Sequence, residues 1–456
     1  MDIQALVTAQ RAYFDTGATL PLSARRAALQ RLREAVTARE GDICAALKAD
    51  LNKSPSESYL CEVGMVLAEL RYAEKHLAGW MRDRRRRTPL AQFPARSSII
   101  QEPYGVVLVM SPWNYPFLLA MGPLIGAVAA GNCAVVEPSA HAPAASAVIR
   151  DLLADCFPAE HVAVVEGRQA EARALLDQRF DYIFFTGGPA AGREVMARAA
   201  AHLTPVTLEL GGKSPCIVDA TAKLDLAAKR IVFGKLLNCG QTCVAPDYLL
   251  VDRRVKGELL ACLQKWVAAL YGSDPLDNEG YVRMVSQAQF RRVMGLIDPA
   301  KVVFGGRGDP NLLRIQPTIL DGVSPEDPVM GEEIFGPVLP VLPFQDVQEA
   351  LDFVRSRPKP LALYLFSQEK RTRELFLRRA SFGGGCINDT VVHLATSRMP
   401  FGGVGESGMG SYHGKAGFDT FSHQKSIVEK GTWLDLPVRY PPYTPAKDRL
   451  LRRFLR

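Results

Sequence analysis

The sequence predicts an α/β protein with one doubly wound unit, a second α/β unit and a small β arm, and three observations carry that expectation. Short continuous apolar runs at Val106–Met110, Cys133–Val136, Val162–Glu166 and Tyr182–Phe185 alternate with helical patterns near 117–130, 143–154, 168–177 and 189–201. Runs of that kind suit parallel strands buried on both faces, and their alternation with helices implies a sheet covered on both sides. A second alternating series begins after Gly211-Gly212, which reads as the crossing between the units. At 456 residues the chain also exceeds what one hydrophobic core ordinarily organises. Such sheets bind ligands at the carboxyl ends of their strands.

Residues 1 to about 81 read as helices. From Leu22 to Val36 apolar residues recur at three- and four-residue spacing, with Ser23 as the expected N-cap, and Tyr59 to Trp80 repeats the pattern. Arg84 to Pro94 breaks it. The stretch from Arg96 to Met110 mixes turn and β-branched signals, which predicts a hairpin arm leading into a buried strand. Strand Val206–Leu210 closes the first series. The second runs through helix 223–238, strand Tyr248–Val251, helices 255–269 and 286–297, and strand Val302–Phe304. Pieces at Ile315–Leu320 and Val338–Phe344, helix 347–356, strand Leu361–Phe366 and helix 369–380 complete it. Gly383–Asn388 and Pro400–Gly410 read as constrained loops. After Phe421 the chain is Pro-rich and basic without a core pattern, so it is expected to pack on a neighbouring subunit or over its own surface.

A hydrophobic content of 48% and a charged content of 23% describe an ordinary soluble globular chain. The net charge of +7 is modest and concentrated in Arg82–Arg87 and Lys447–Arg456. Such runs are ordinarily solvated faces or subunit contacts, so neither nucleic acid nor membrane is an expected partner. The longest apolar stretch, Phe117–Ala130, is too short and too broken by Gly and Pro to span a bilayer. The nine cysteines are odd in number, scattered, and without metal-ligand spacing. With no secretory leader in evidence, reduced thiols in a cytoplasmic protein, with no bound metal, are the expectation.

Chemistry centres on Phe233–Pro246, where Cys243 follows a Gly-Gln-Thr turn at the end of an apolar helix. A thiolate attacks carbonyl carbon well at neutral pH. A lone cysteine is more often a small buried hydrophobe, and Cys239, four residues earlier, reads that way. What sets Cys243 apart is its company. Glu209 lies in a Leu- and Gly-rich run where an unpaired carboxylate is costly to bury. Asn114, in Ser-Pro-Trp-Asn-Tyr-Pro-Phe, offers a neutral amide donor, and Glu333 precedes Ile-Phe-Gly-Pro. Taken one at a time, each has an ordinary reading as a satisfied carboxylate, a turn residue or a surface ion pair. A thiol, a carboxylate and an amide together suffice for covalent chemistry on a carbonyl. A second cluster, Thr186-Gly187-Gly188-Pro-Ala-Ala-Gly192, follows a strand and opens a helix, where free amides suit a pyrophosphate. Its Gly-x-x-x-x-Gly spacing is neither a dinucleotide fingerprint nor a P-loop. Glu137, just past another strand, is placed to accept from ribose hydroxyls or simply to face water.

Together, Ser-Pro-Trp-Asn-Tyr-Pro-Phe, Phe-Phe-Thr-Gly, Leu-Glu-Leu-Gly-Gly-Lys-Ser-Pro, Gly-Gln-Thr-Cys, Glu-Glu-Ile-Phe-Gly-Pro and Pro-Phe-Gly-Gly resemble the NAD(P)-dependent aldehyde dehydrogenase superfamily, from about residue 20 to 446. Asn-Cys-Gly-Gln-Thr-Cys-Val-Ala-Pro-Asp-Tyr and Gly-Met-Gly-Ser-Tyr-His-Gly are similar to its dimeric class 3 branch, though without the apolar tail of the membrane-anchored members. The resemblance implies a Rossmann-like doubly wound cofactor domain (1–81 and 103–210) and an α/β catalytic domain (211–418). Segments 82–102 and 419–456 would bridge them and supply a β oligomerisation arm in a homodimer. It implies Cys243 as nucleophile, Asn114 with the Cys243 amide as oxyanion donors, and Glu209 as the base that activates water. Trp113, Glu137, Thr186, Gly187, Gly188, Gly192, Leu210, Glu333 and Phe335 would contact the cofactor. Met65, Tyr115, Leu119, Phe233, Leu237, Leu394 and Phe401 would line an apolar tunnel for aromatic or medium-chain aliphatic aldehydes. Where most members read Lys-Pro-Ser-Glu, this chain reads Glu137-Pro138-Ser139-Ala140, which predicts NAD in preference to NADP. The chemistry leaves open a thioester passed to coenzyme A, and a non-catalytic relative; the retained Glu209 and Cys243 weigh against these.

Overall fold

The computed structural model describes residues 2–454 and contains three main sheets. The first has six strands in the order Gly408–Met409, Val206–Leu210, Tyr182–Gly187, Val106–Met110, Cys133–Glu137 and Val162–Val164. All pairs are parallel except the first, where Gly408 lies opposite Glu209. Side chains alternate between the two faces, as a strand requires. Val107 and Val109 pack with helices Leu22–Ala38, Gly64–Trp80, Pro116–Ala130 and Pro143–Cys156, whereas Val106, Leu108 and Met110 pack with Ile3–Asp15, Gln169–Leu176 and Pro189–Ala200. Proline opens several of these helices, where its missing N–H leaves no bond unmade.

The second sheet has seven strands in the order Val302–Phe304, Thr318–Leu320, Val338–Phe344, Tyr248–Asp252, Pro215–Val218, Ala362–Phe366 and Gly384–Ile387, parallel except at Val302–Phe304. The chain leaves the first sheet at Leu210 and enters the second at Pro215. A third, antiparallel sheet joins Arg84–Arg86, Ala95–Pro103 and Ser422–Lys430, so the expected hairpin arm gains a third strand.

Four local expectations are corrected. Ser23 does not cap its helix: Pro21 is the capping residue, and the helix begins at Leu22. Gly383–Asn388 is not a loop, because Gly384–Ile387 forms a parallel edge strand. A Cβ on Gly385 would lie 2.0 Å from the Leu363 carbonyl, so the glycines permit that pairing. The stretch after Phe421 contains a nine-residue strand in register with Ala95–Pro103, followed by helix Pro445–Phe454. Helix 223–238 ends at Leu236, and the chain then turns back through Asn238 (φ 53°), Cys239 (φ 55°) and Gly240 (φ 73°).

Candidate active site

Four chain segments converge on one cleft. In the first sheet the parallel register sets Thr186 beside Glu209 at neighbouring strand ends. The strand Val106–Met110 ends next to them and leads through Trp113 and Asn114 into helix Pro116–Ala130. From the second unit, the left-handed reversal after Leu236 delivers Gln241, Thr242 and Cys243. Asparagine tolerates that backbone better than other residues bearing a Cβ, because its short side chain bonds locally.

The Cys243 thiol stands between two cavities. One, of about 160 Å³, is lined by Met65, Tyr115, Leu119, Phe233, Leu237, Leu394 and Phe401, with Tyr412 and His413. The other, of about 330 Å³, is lined by Trp113, Asn114, Thr186, Gly187, Gly188, Glu209, Leu210, Glu333 and Phe335. Among the described residues, only Leu119 and Cys243 face both. All seven tunnel residues expected from the sequence thus share one apolar cavity, and seven of the nine cofactor candidates share the cleft.

The amide of Asn114 is tied to the nucleophile's own turn. Its Nδ2 donates to the Gln241 carbonyl at 3.0 Å, and Asn238 Nδ2 donates to the Asn114 carbonyl at 2.8 Å. Tyr115 and Thr242 hydroxyls pair at 2.7 Å across the same seam. Gln241 fixes the turn by donating to the Asn238 carbonyl at 3.1 Å while accepting from the Val285 amide at 3.0 Å. Beneath Asn114 lies a fully buried ion pair, Lys53–Glu62 at 2.6 Å.

Burial shifts three titratable groups of the site, Glu209, Cys243 and Glu333. Glu209 is buried at the Val206–Leu210 strand, neither carboxyl oxygen has a hydrogen-bond partner, and burial pushes its pKa well above the usual carboxylate range. Burial first, then Glu333 and Glu209, push the Cys243 thiol upward. At rest both the thiol and the Glu209 carboxyl are held in their protonated forms, and Glu209 acts as a base only once it has ionised. Glu333 is raised to about 8, mainly by burial and also by Asp247, against the opposing pull of the Gly212 amide, Lys213 and Arg292. Its carboxylate comes so close to Gly211 that a Cβ there would sit 2.0 Å from Oε2.

The turn bearing Glu333 is clamped from both sides. Lys213 pairs with Asp247 and donates to the carbonyls of Val329 at 2.9 Å and Glu332 at 2.7 Å. Arg292 donates to the Ile334 carbonyl at 2.7 Å and to the Glu332 carboxylate at 2.9 Å. Phe335 meets Trp113 edge-on, ring centres 5.4 Å apart.

A dinucleotide fits the larger cleft. The Thr186 hydroxyl is buried there without a partner, the space in front of Gly188 is open, and helix Pro189–Ala200 begins at that point. Two cofactor candidates lie outside its lining. Gly192 packs against the first sheet, where a Cβ would fall 2.6 Å from Leu210, so its small size serves helix–strand packing. Glu137 ends the strand Cys133–Glu137, is nearly buried, and is raised to about 8 by burial. Cys239 faces away from the cleft: it is buried and donates toward Tyr281 Oη at 3.5 Å. No group of three or more His, Cys, Asp or Glu side chains among the described residues could hold a metal.

Lys53, Glu62 and Arg292 carry no motif in the sequence, and Asn238, Gln241, Tyr412 and His413 lie within quoted motifs without an assigned role, yet all belong to the site. Gln241 and Asn238 flank the nucleophile in sequence, which is the one signal that could have raised them. The others are remote charges and aromatics whose role appears only in three dimensions.

Comparison with known proteins gives this arrangement its relatives. Residues 1–427 match the model of the aldehyde dehydrogenase family. A Staphylococcus aureus 4,4'-diaponeurosporen-aldehyde dehydrogenase is 45% identical over 98% of this chain and 97% of its own. The dog dimeric NADP-preferring aldehyde dehydrogenase is 42% identical over 96% of this chain and 98% of its own. The fold superposes on the substrate-bound structure of a Staphylococcus aureus AldH with a TM-score of 0.98, at 44% identity and full coverage of both chains. An indole-3-acetaldehyde dehydrogenase from P. syringae, solved with NAD+ and IAA, gives 0.86 at 27% identity, covering 94% of this chain and 89% of that one. With its thiol, amide and buried carboxylate assembled between an apolar tunnel and a nucleotide-sized cleft, the chain belongs to the aldehyde dehydrogenase family.

Proposed function

We propose that this enzyme oxidises aromatic or medium-chain aliphatic aldehydes to carboxylic acids with NAD, and that it does so through a covalent thioester on Cys243. The observation that carries this is the position of Cys243 as the one reactive side chain facing both cavities. An apolar aldehyde entering the tunnel brings its carbonyl carbon to sulfur. The carbon–sulfur bond forms as the S–H bond breaks, its proton passing to solvent water, and the carbonyl oxygen becomes an oxyanion held by Asn114 and the Cys243 amide. Single donors of this type are typically worth about 3 kcal/mol. The dinucleotide, when bound, supplies the hydride acceptor. Thr186, Gly187, Gly188, Glu333 and Phe335 would hold it, and the carbon bound to Cys243, giving up its hydride to that acceptor, would remain on sulfur as a thioester. Glu209, in the fraction of molecules where it is ionised, then takes a proton from water, which attacks the thioester carbon; the acid is released as Glu209 passes that proton to sulfur.

Several features support the finer points. The tunnel walls are apolar and contain no arginine, so they favour uncharged aldehydes over carboxylated ones. The S. aureus relative's name supplies one more aldehyde for the substrate panel. Nine unpaired cysteines suit a reducing, cytoplasmic setting. The three-stranded arm supports a homodimer, which light scattering of the purified protein would test. No helix among the described residues is long and apolar enough to cross a membrane.

Glu137 is the basis for NAD over NADP. A carboxyl raised to about 8 is largely neutral at pH 7 and ionised above that value. As pH rises from 6 to 9, growing negative charge repels a 2′-phosphate. The ratio of kcat/KM for NAD to that for NADP is therefore expected to rise about tenfold over this range, which corresponds to roughly 1.4 kcal/mol of added repulsion. Glu137→Gln should flatten the profile. A higher kcat/KM with NADP in the unaltered enzyme would refute the preference.

The principal experiment is NADH and NADPH production with benzaldehyde, hexanal and succinic semialdehyde. Turnover with the first two and little with the third is the expected result. Efficient use of the charged semialdehyde alone would overturn the substrate class.

A further inference from the structure

We infer that the buried Lys53–Glu62 ion pair and Asn238 are positioning residues, which hold the Asn114 amide against the Cys243 turn; this rests on the aldehyde oxidation proposed above and deepens it. Lys53 and Glu62 are both fully buried, with Nζ 2.6 Å from Glu62 Oε1. The same Nζ donates to the Asn114 carbonyl at 2.9 Å and lies over the Tyr115 ring, 4.1 Å from its centre. The other oxygen of Glu62 accepts from the amides of Phe117 at 2.9 Å and Leu118 at 3.2 Å. Those amides open helix Pro116–Ala130, whose positive end favours a carboxylate.

Asn238 reaches the same carbonyl from the opposite side. Its Nδ2 donates to Asn114 O at 2.8 Å and to Gln241 O at 3.0 Å, and Asn114 Nδ2 donates to that Gln241 carbonyl at 3.0 Å. The result is a closed ring of bonds: two donors converge on Asn114 O, and two converge on Gln241 O, two residues before the thiol. One N–H of the Asn114 amide is consumed in this ring. The other has no partner among the described residues, which leaves it for a substrate oxygen.

Stability alone gives no reason for an ion pair at this depth. Buried ion pairs are commonly no more stabilising than apolar residues of the same volume. A bond from Lys53 to the main chain of the oxyanion donor does give one. Positioning matters because an error near 1 Å between reacting groups can lower a rate about 10²-fold.

The test uses the full-length enzyme. Lys53→Met with Glu62→Gln keeps an acceptor for the helix amides but removes the donor to Asn114. Asn238→Gly keeps the left-handed backbone and removes the other donor. Either change is expected to lower kcat about 30-fold, below the ~10²-fold of a full misplacement, with KM for benzaldehyde and Kd for NAD within about twofold. The decisive measurement is a cycle with Asn114→Ala, since residues acting through one another are not additive. In the Asn114→Ala background the same changes should cost less than about twofold in kcat. A full 30-fold loss in that background, or unchanged kcat in the normal one, overturns the inference. Where Lys53→Met/Glu62→Gln does not fold, the Asn238→Gly cycle decides alone. If the unaltered enzyme oxidises no aldehyde, the reading beneath this one falls, and this one with it.

Discussion

Cys243→Ala is expected to lower kcat for benzaldehyde oxidation by at least about 10⁴-fold, the scale on which loss of a covalent nucleophile is felt. Binding of NAD should stay within about twofold of the unaltered enzyme. The change removes one sulfur from the seam between the cavities and leaves Thr186, Gly188, Glu333 and Phe335 in place. The Trp113 ring lies edge-on to Phe335 in the cleft, so its fluorescence offers a direct readout of NAD binding. Cys239 cannot substitute, because it is buried beside Tyr281 and lines neither cavity. Residual turnover above about 1% would mean that the covalent route is wrong.

Glu209→Gln separates the two halves of the reaction. The variant should form close to one equivalent of NADH per active site and then stall, because the water that releases the acid lacks its base. Intact-mass analysis should find the acyl group on Cys243, and steady-state kcat should fall about 10²- to 10⁴-fold, the usual span for a lost general base. Undiminished steady-state turnover would remove Glu209 from catalysis.

The same substitution is expected to stabilise the fold. An unfolded carboxyl loses its proton above about pH 4.3, whereas Glu209, buried and without a donor, keeps its proton far higher. The folded state therefore binds the extra proton, and stability falls as pH rises, by about 1.4 kcal/mol per unit until the folded pKa is reached. Glutamine removes that slope. The melting temperature of the variant should match the parent near pH 4.5 and exceed it by a margin that grows as pH rises above that point. A gap that does not widen with pH would show that the carboxyl has found a partner in solution.

Much of this molecule was legible before any coordinates. The parallel strands announced themselves because burial on both faces forces long apolar runs, as in Val106–Met110. That Cys243, Glu209, Asn114 and Glu333 line one cleft was legible only from their motifs taken together, since each alone has an ordinary reading. What stayed hidden depended on distant partners. Ser422–Lys430 carries mostly exposed side chains, so no apolar rhythm marks it; its register is set by Ala95–Pro103, more than 300 positions away. Gly384–Ile387 was masked by glycines that signal a loop locally, but here admit a neighbouring carbonyl. Lys53 and Glu62 look like ordinary surface charges in sequence, and only the packing of Asn114 above them shows why they are buried.

The thiol with a chamber on either side also bears on inhibitor design. A compound with an aromatic arm and a nucleotide-like arm, joined at a group that reacts with sulfur, would occupy both chambers of this enzyme at once. Tethering makes the second arm's engagement intramolecular, at an effective concentration that reaches the millimolar range for short flexible linkers. A nucleotide-binding enzyme without an apolar chamber beside a reactive thiol would receive only one arm. Selectivity would then arise from the linker's length and the angle at sulfur, and weak fragments found separately for each chamber would suffice as starting points.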